Sequence, residues 1–294
     1  MNLKQLGYAV GALVVLLLIY FAIAPGREQQ KSVDADLLAV DSAEVMAINI
    51  VKGLDSFAFK MTEGQWQLND YPVDQNKFDQ LHKDLTNLEI DRFVTKNATK
   101  FGQYEVDSTA TLVTITGKEE ETLASYYLGK TNFSSGENFI RKAGGNKVYA
   151  VSGNLSQYKN LKVDNYWNKT MVNFTPNDVV AIELAGTYNY SIEQMNMGWV
   201  YSDSLIDMQK AEQLVKSLVQ QNATAFADKA VPAESELLQW IKITPREGSP
   251  VEVKYYANAD KSTTHYVQVT GNDKVFEFPS SRMKGFDKTL ADLK

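Results

Sequence analysis

Glu44-Val45-Met46-Ala47-Ile48-Asn49-Ile50 is answered later in the chain by Asp178-Val179-Val180-Ala181-Ile182-Glu183-Leu184. Both stretches alternate, with Met46, Ile48 and Ile50 on one face in the first copy, as a half-buried strand requires. Outward from them the correspondence continues. Trp66 matches Trp199, and Asp74, Lys77, Leu81 and Leu85 match Asp207, Lys210, Leu214 and Leu218. Phe93 and Lys96 match Phe226 and Lys229, so from Trp66 to Lys96 the offset holds at 133 residues without a gap. Val113-Thr114-Ile115-Thr116 resembles Ile241-Lys242-Ile243-Thr244, and Lys147-Val148-Tyr149 resembles Lys274-Val275-Phe276. A period of this length marks a duplicated structural unit.

Each copy reads as three strands, a helix, several more strands and a terminal helix. Phe57, Phe59 and Met61 alternate, as do Val113 and Ile115. After Asp74 the period changes, and Phe78, Leu81, Leu85 and Leu88 form one helical stripe. Asp74 and Asp207 suit helix N-caps, where a carboxylate accepts orphan backbone N–H groups. Gly64 before Trp66 marks a hairpin turn. The expectation is an α+β fold, two tandem antiparallel sheets each covered by helices. The repeats should span 37–165 and 166–294, with residues 163–178 as their junction.

The chain has 294 residues, a net charge of −6 and 44% hydrophobic residues, enough for a packed core. Residues 1–33 carry +2, so the remainder carries −8. An acidic body with no basic run excludes nucleic acid as a partner, since phosphate binding needs clustered Lys and Arg. The absence of cysteine excludes disulfides, thiol catalysis, iron–sulfur clusters and thiolate zinc sites.

Leu6–Ala24 is an uncharged run of 19 residues. As a helix it would measure roughly 28 Å, enough to cross the hydrocarbon core of a bilayer. The reading is a transmembrane helix over 6–24 behind a cytoplasmic tail, 1–5, and followed by a polar tether, 25–36. Gly7 and Gly11 have the small-x-x-x-small spacing that permits close helix–helix contact. Ala22-Ile23-Ala24 has the form of a signal-peptide cleavage site, but Pro25 would follow the cut and the run is long for a signal peptide. Lys4 on one side and Arg27 and Lys31 on the other nearly balance, so charge alone leaves the orientation open.

Catalytic patterns are sparse. His82 and His265 are the only histidines, at unmatched positions, and read as boundary residues of a helix and a strand. Gly129-Lys130-Thr131 has the ending of a phosphate loop, but Ala124 stands where its first glycine belongs and no helix follows. A turn between strands accounts for Gly129. Asp34 and Asp36 belong to the tether, and Glu119–Glu121 to a hairpin tip; neither has calcium-loop spacing. Trp66, Trp199, Tyr126, Tyr127, Tyr255, Tyr256 and Tyr266 can line a glycan or peptide groove, though alternating strands bury such residues routinely. The residues indicate no metal and no cofactor.

Trp66-x-Leu68, Tyr71-Pro72, Asp74, the Leu81/Leu85 helix, Phe101-Gly102, Leu128-Gly129, Asn138-Phe139-Ile140-Arg141 and Lys147-Val148-Tyr149-Ala150-Val151 together resemble the family called domain of unknown function 4340. The resemblance covers most of residues 37–290. Phe101-Gly102-Gln103-Tyr104 departs from the family's Tyr-Gly-Leu-Asp block. The resemblance implies a membrane-anchored accessory protein beside an ABC transporter of the gliding-motility type, with the permease and ATPase subunits as partners. It also implies a place at the bacterial inner membrane with the soluble part outside the cytoplasm. It carries no catalytic residues.

The expected function is thus a non-catalytic accessory subunit of an ABC-type exporter. The alternatives are a free-standing envelope module binding glycan or peptide, which an exposed aromatic groove would favour, and an enzyme using carboxylates alone, which needs two close carboxylates in a pocket. The N-terminal reading has a direct check. Intact-mass analysis of the membrane fraction should find residues 1–24 retained; a chain beginning at Pro25 would overturn it.

Overall fold

A computed structural model describes residues 40–153 and 155–294. The run Leu6–Ala24 with Gly7 and Gly11, the tail 1–5 and the tether 25–36 lie outside the described residues. The chain divides into two compact units, the first ending at Tyr166 and the second running Trp167–Lys294.

In the first unit four strands, β1 (Ala47–Lys52), β2 (Asp55–Thr62), β3 (Gln65–Leu68) and β4 (Tyr71–Pro72), precede helix α1 (Gln75–Thr86). Five follow it: β5 (Ile90–Thr95), β6 (Thr111–Thr116), β7 (Thr122–Asn132), β8 (Glu137–Lys142) and β9 (Val148–Val151). They form one nine-stranded sheet in the order β4-β3-β2-β1-β6-β7-β8-β9-β5, antiparallel throughout.

The second unit opens with β10 (Thr170–Asn173), then repeats the plan with β11 (Val179–Gly186), β12 (Tyr190–Met195), β13 (Gly198–Tyr201), β14 (Ser204–Leu205) and helix α2 (Met208–Val219). After β15 (Gln220–Asn222) come β16 (Ala225–Phe226), β17 (Leu237–Pro245), β18 (Val251–Ala257), β19 (Thr264–Val269) and β20 (Phe276–Pro279). Its nine-stranded sheet is ordered β14-β13-β12-β11-β17-β18-β19-β20-β16, the order of the first sheet with each strand replaced by its counterpart; β10 and β15 pair separately.

The local sequence explains these elements. In β1, Ile48 and Ile50 are buried and Asn49 between them is exposed. Ile48 lies opposite Phe59 and Ile115, and Ile50 opposite Phe57 and Val113, so one face of three strands is apolar together. The β2–β3 turn is Glu63-Gly64, with φ of 52° and 80°, the left-handed pair that a two-residue hairpin demands. The β3–β4 and β13–β14 turns repeat it with Asn69-Asp70 and Ser202-Asp203.

Asp74 caps α1 by accepting from Lys77 N at 3.3 Å, and Asp207 caps α2 by accepting from Lys210 N at 2.9 Å. The buried stripes are Phe78, Leu81 and Leu85 in α1, and Ala211, Leu214, Val215, Leu218 and Val219 in α2. The Trp66 ring lies 4.3 Å from Phe78, centroid to centroid, with Phe59 5.5 Å away on the other side. A fully buried tyrosine from mid-sheet meets the C-terminal end of each helix. Tyr126 OH donates to the Leu85 carbonyl at 2.7 Å. Tyr255 OH donates to Gln221 Oε1, and Gln221 Nε2 donates in turn to the Leu218 carbonyl at 2.9 Å.

The end of each unit returns to the start of its own helix. Asp74 N donates to the Tyr166 carbonyl at 2.7 Å and Lys77 Nζ to that of Asn165 at 2.7 Å. Asp207 N donates to the Leu293 carbonyl at 2.8 Å and Lys210 Nζ to that of Lys294 at 2.6 Å. This closure sets the division after Tyr166.

The expected fold class needs correction. The described residues are mostly antiparallel sheet, 44% strand against 22% helix, and a good part of the helix is short turns. Among the described residues no helix is long and apolar enough to cross a membrane, so the transmembrane element of that reading is not shown. The terminal helix expected of each unit is also replaced. Ser156–Asn160 and Val163–Asn165 are 3₁₀ turns, and the second unit ends in Ser280–Met283, Lys284–Phe286 and Leu290–Leu293. The physical reason lies in the spacing. Leu155, Tyr158 and Leu161 are buried at intervals of three, the 3₁₀ period rather than 3.6. Met283, Phe286 and Leu293 keep helical spacing, but Asp287 is extended, with ψ of 96°, and interrupts the helix.

Leu81 is fully buried, so Leu81→Ala should cost about 2–5 kcal/mol of stability. Tyr126→Phe should cost ~1–3 kcal/mol by leaving the Leu85 carbonyl without its buried donor. Chemical denaturation measures both; a cost near zero for Leu81→Ala would place that side chain outside the core.

Candidate functional site

Of the seven aromatics singled out above, Tyr127 and Tyr256 are half-buried and the other five lie in the interior. Trp66, Trp199, Tyr126, Tyr255 and Tyr266 are all buried and pack beneath or beside the helices and connections. Gly129 is not in a turn but inside β7. A Cβ there would come within 2.4 Å of the Tyr104 carbonyl and 2.5 Å of Val106 Cγ1, so the glycine lets another backbone pass close to the strand. Glu119–Glu121 is the β6–β7 turn, where Glu121 Oε2 accepts from Glu119 N at 2.7 Å. Asp34 and Asp36, like Gly7 and Gly11, lie outside the described residues. Among the described residues no group of three or more His, Asp or Glu side chains is placed to hold a metal ion.

The backbone passing Gly129 is the connection from β5 to β6. Val106 on it packs with Phe139, Val148 and Ala150, flanked by Phe101, Tyr104 and Tyr127. These side chains occupy the sheet face opposite α1, because Tyr127 and Tyr126 are neighbours on one strand and point oppositely. Arg141 pins the connection. Its Nε donates to the Val106 carbonyl at 2.7 Å and its Nη1 to that of Gly145 at 2.8 Å. Its guanidinium sits 4.7 Å from the Phe101 ring centroid and 4.5 Å from that of Tyr127. Phe101, Gly129, Phe139 and Arg141, scattered in sequence, therefore meet as one fastening. In the second unit the corresponding connection carries an exposed ion pair, Lys229 Nζ to Asp260 at 2.6 Å, and Asp260 also accepts from Tyr266 OH at 3.0 Å.

The most exposed apolar cluster lies at one corner of the second unit. Met197 in the β12–β13 turn is 86% exposed, and Met195, Leu205 and Met208 are each more than half exposed. Met195 lies opposite Gly198, and Val200 opposite Leu205; Leu205 Cδ1 would be 3.5 Å from a Cβ on Gly198. Met208, the first residue of α2, follows three residues after Leu205 and is also exposed. The counterparts in the first unit are Thr62, Gly64, Pro72 and Gln75. The same corner thus carries methionines and a leucine in one copy and a threonine, a glycine, a proline and a glutamine in the other. Sequence reasoning missed it because alternation separates two faces without saying which face is covered.

These features define a class: a duplicated antiparallel-sheet module with one twelve-residue helix per sheet, held at both ends by hydrogen bonds. The family model described as "Domain of unknown function (DUF4340)" matches residues 66–239, more than half of the chain, and the protein belongs to that family. No curated protein and no solved structure matches it.

His82 packs against Phe78 and Trp66 with ring centroids at 5.6 and 6.0 Å, and His265 sits in β19. His82 Nε2 and His265 Nδ1 have no hydrogen-bond partner among the described residues. Burial pushes both imidazoles below the ordinary histidine range, with Asp79 partly opposing the shift at His82. A histidine with a depressed folded pKa binds fewer protons when folded, so stability is full above about pH 6.5 and falls as pH drops toward the folded value. The unfolding midpoint should decrease from about pH 7.5 to about pH 5.5, and His82→Gln/His265→Gln should flatten that decrease. An unchanged slope in the double variant would assign the titration elsewhere.

Proposed function

We propose that the protein is a non-catalytic accessory subunit of an ABC-type exporter, acting by association at the bacterial inner membrane outside the cytoplasm. The identity of the partners, permease and ATPase, rests on the family resemblance; the uncharged run Leu6–Ala24 in the sequence supports the location. The observation that carries the mode of action is the corner formed by Met195, Met197 and Leu205. Methionine adapts its three torsions to irregular partners, and contiguous exposed apolar side chains mark interaction sites. The other copy of the unit folds with Thr62, Gly64 and Pro72 there, so folding does not require these large apolar side chains. Glu193 and Asp203 beside the corner supply a charged rim, the arrangement of an interface whose centre excludes water.

Met197→Asp and Leu205→Asp, tested in the full chain by co-purification in mild detergent, should each lower recovery of the transporter subunits about tenfold or more, equivalent to ~1.4 kcal/mol. Melting should be nearly unchanged, since both side chains are exposed and make few contacts. Undiminished recovery in both variants, or no transporter subunit recovered with the unmodified chain, would overturn the proposal.

A further inference from the structure

The first unit contains a cleft of about 410 Å³ between the exposed side of α1 and the closing segment, within the usual range of small-ligand sites, ~300–1,000 Å³. Its walls are Lys77 and Gln80 from the helix, with Gln157, Tyr158, Asn160, Leu161, Lys162, Asn165 and Tyr166 from the segment that follows β9. None of these residues is acidic, although the chain carries a net charge of −6.

Carboxylates flank the cleft at Asp74, paired with Lys77 at 3.5 Å, and at Asp84, which is turned to the protein. Asp84 accepts from Gln80 Nε2 at 2.7 Å and from Tyr158 OH at 2.6 Å. Both its oxygens are thereby occupied, and Gln80 and Tyr158 are held in place. Asn160 gives its side-chain oxygen to Lys52 Nζ at 2.6 Å, which leaves its NH₂ as a donor. Lys77 is steadied by Asp74 Oδ2 at 3.5 Å and the Asn165 carbonyl at 2.7 Å. Lys162 is exposed, and its ammonium has no hydrogen-bond or ion-pair partner among the described residues, while its carbonyl accepts from Asn165 N at 3.0 Å. Tyr166 sets its ring edge-on against Phe59 at 5.7 Å, presenting a fixed aromatic surface beside Leu161.

We propose that this cleft binds an anionic saccharide, a sugar bearing a carboxylate such as a hexuronate. The chemistry of the walls selects it. The unengaged Lys162 ammonium attracts the carboxylate, side-chain amides match the sugar hydroxyls, and an aromatic face accepts the apolar face of the ring. The internal duplication provides a comparison. Lys210 and Gln213 repeat Lys77 and Gln80 on α2, but Ser217 stands at the place of Asp84 and donates to the Leu214 carbonyl at 2.7 Å. The closing segment there instead buries Phe286 and Leu293. The helix residues alone therefore do not make the site; the segment Gln157–Tyr166 does. The inference is independent of the transporter reading, because it concerns the other unit and a different class of ligand.

Calorimetric titration of the full chain with digalacturonate, its neutral disaccharide counterpart and inorganic phosphate tests it. Digalacturonate should bind at least tenfold more tightly than either of the others, and Lys162→Gln should weaken it about tenfold or more with unchanged melting. Lys284→Gln, an exposed lysine of the second unit, should leave binding unaltered. No saturable binding of digalacturonate, equal binding by Lys162→Gln, or phosphate binding as tightly as digalacturonate would each overturn the proposal.

Discussion

A helix leaves four carbonyls unsatisfied at its C-terminal end, and in both units the answer comes from a tyrosine in the middle of the sheet. Tyr126 reaches the Leu85 carbonyl directly; Tyr255 reaches the Leu218 carbonyl through Gln221. Both phenols are fully buried, and burial drives their pKa upward, so each stays a neutral donor. A helix displaced along the sheet would strand a buried hydroxyl and a carbonyl together. At the opposite end the N-cap aspartate binds the last residues of the unit. The helix is therefore held at both termini, and the rest of the topology follows from that position.

The helix takes the chain from β4, at one edge of the sheet, to β5, at the other. The next strand, β6, belongs in the middle beside β1. One face is occupied by the helix, so the chain returns across the other. The return needs close backbone approach, which Gly129 allows, and an anchor, which Arg141 supplies between two aromatic rings. The second unit has the same crossing with different chemistry, an aspartate joined to a lysine and a tyrosine. The requirement is topological; the residues along the crossing differ between the units.

Duplication separates what folding needs from what it tolerates. Caps, helix stripes, left-handed hairpin turns and the buried tyrosines recur in both copies. The methionine corner exists in one copy and the amide- and lysine-lined cleft in the other. Such divergence is where a shared fold acquires separate uses, since function resides in sites placed on a fold rather than in the fold.

Much of this was legible in the amino acids. The 133-residue offset, the alternation around Ile48 and Ile182, and the aspartates before each helix are local features, and local periodicity reports local structure. The sequence also carried the family resemblance, through residues whose purpose it did not reveal. Phe101, Gly129 and Arg141 look unrelated in sequence because the contacts joining them are non-local. Alternation divided each strand into two faces, but only the packed sheet decided which face met a helix, which lay under a crossing segment and which stayed open. The closing segments misled as well, since apolar spacing compatible with a helix was spent on 3₁₀ turns once those turns had to reach the helix N-cap. The sequence by itself determined the repeat and its elements. The tertiary structure decided the order of the strands, the exposure of Met195, Met197, Leu205 and Met208, and the cleft beside α1, because each depends on residues brought together only by long-range closure.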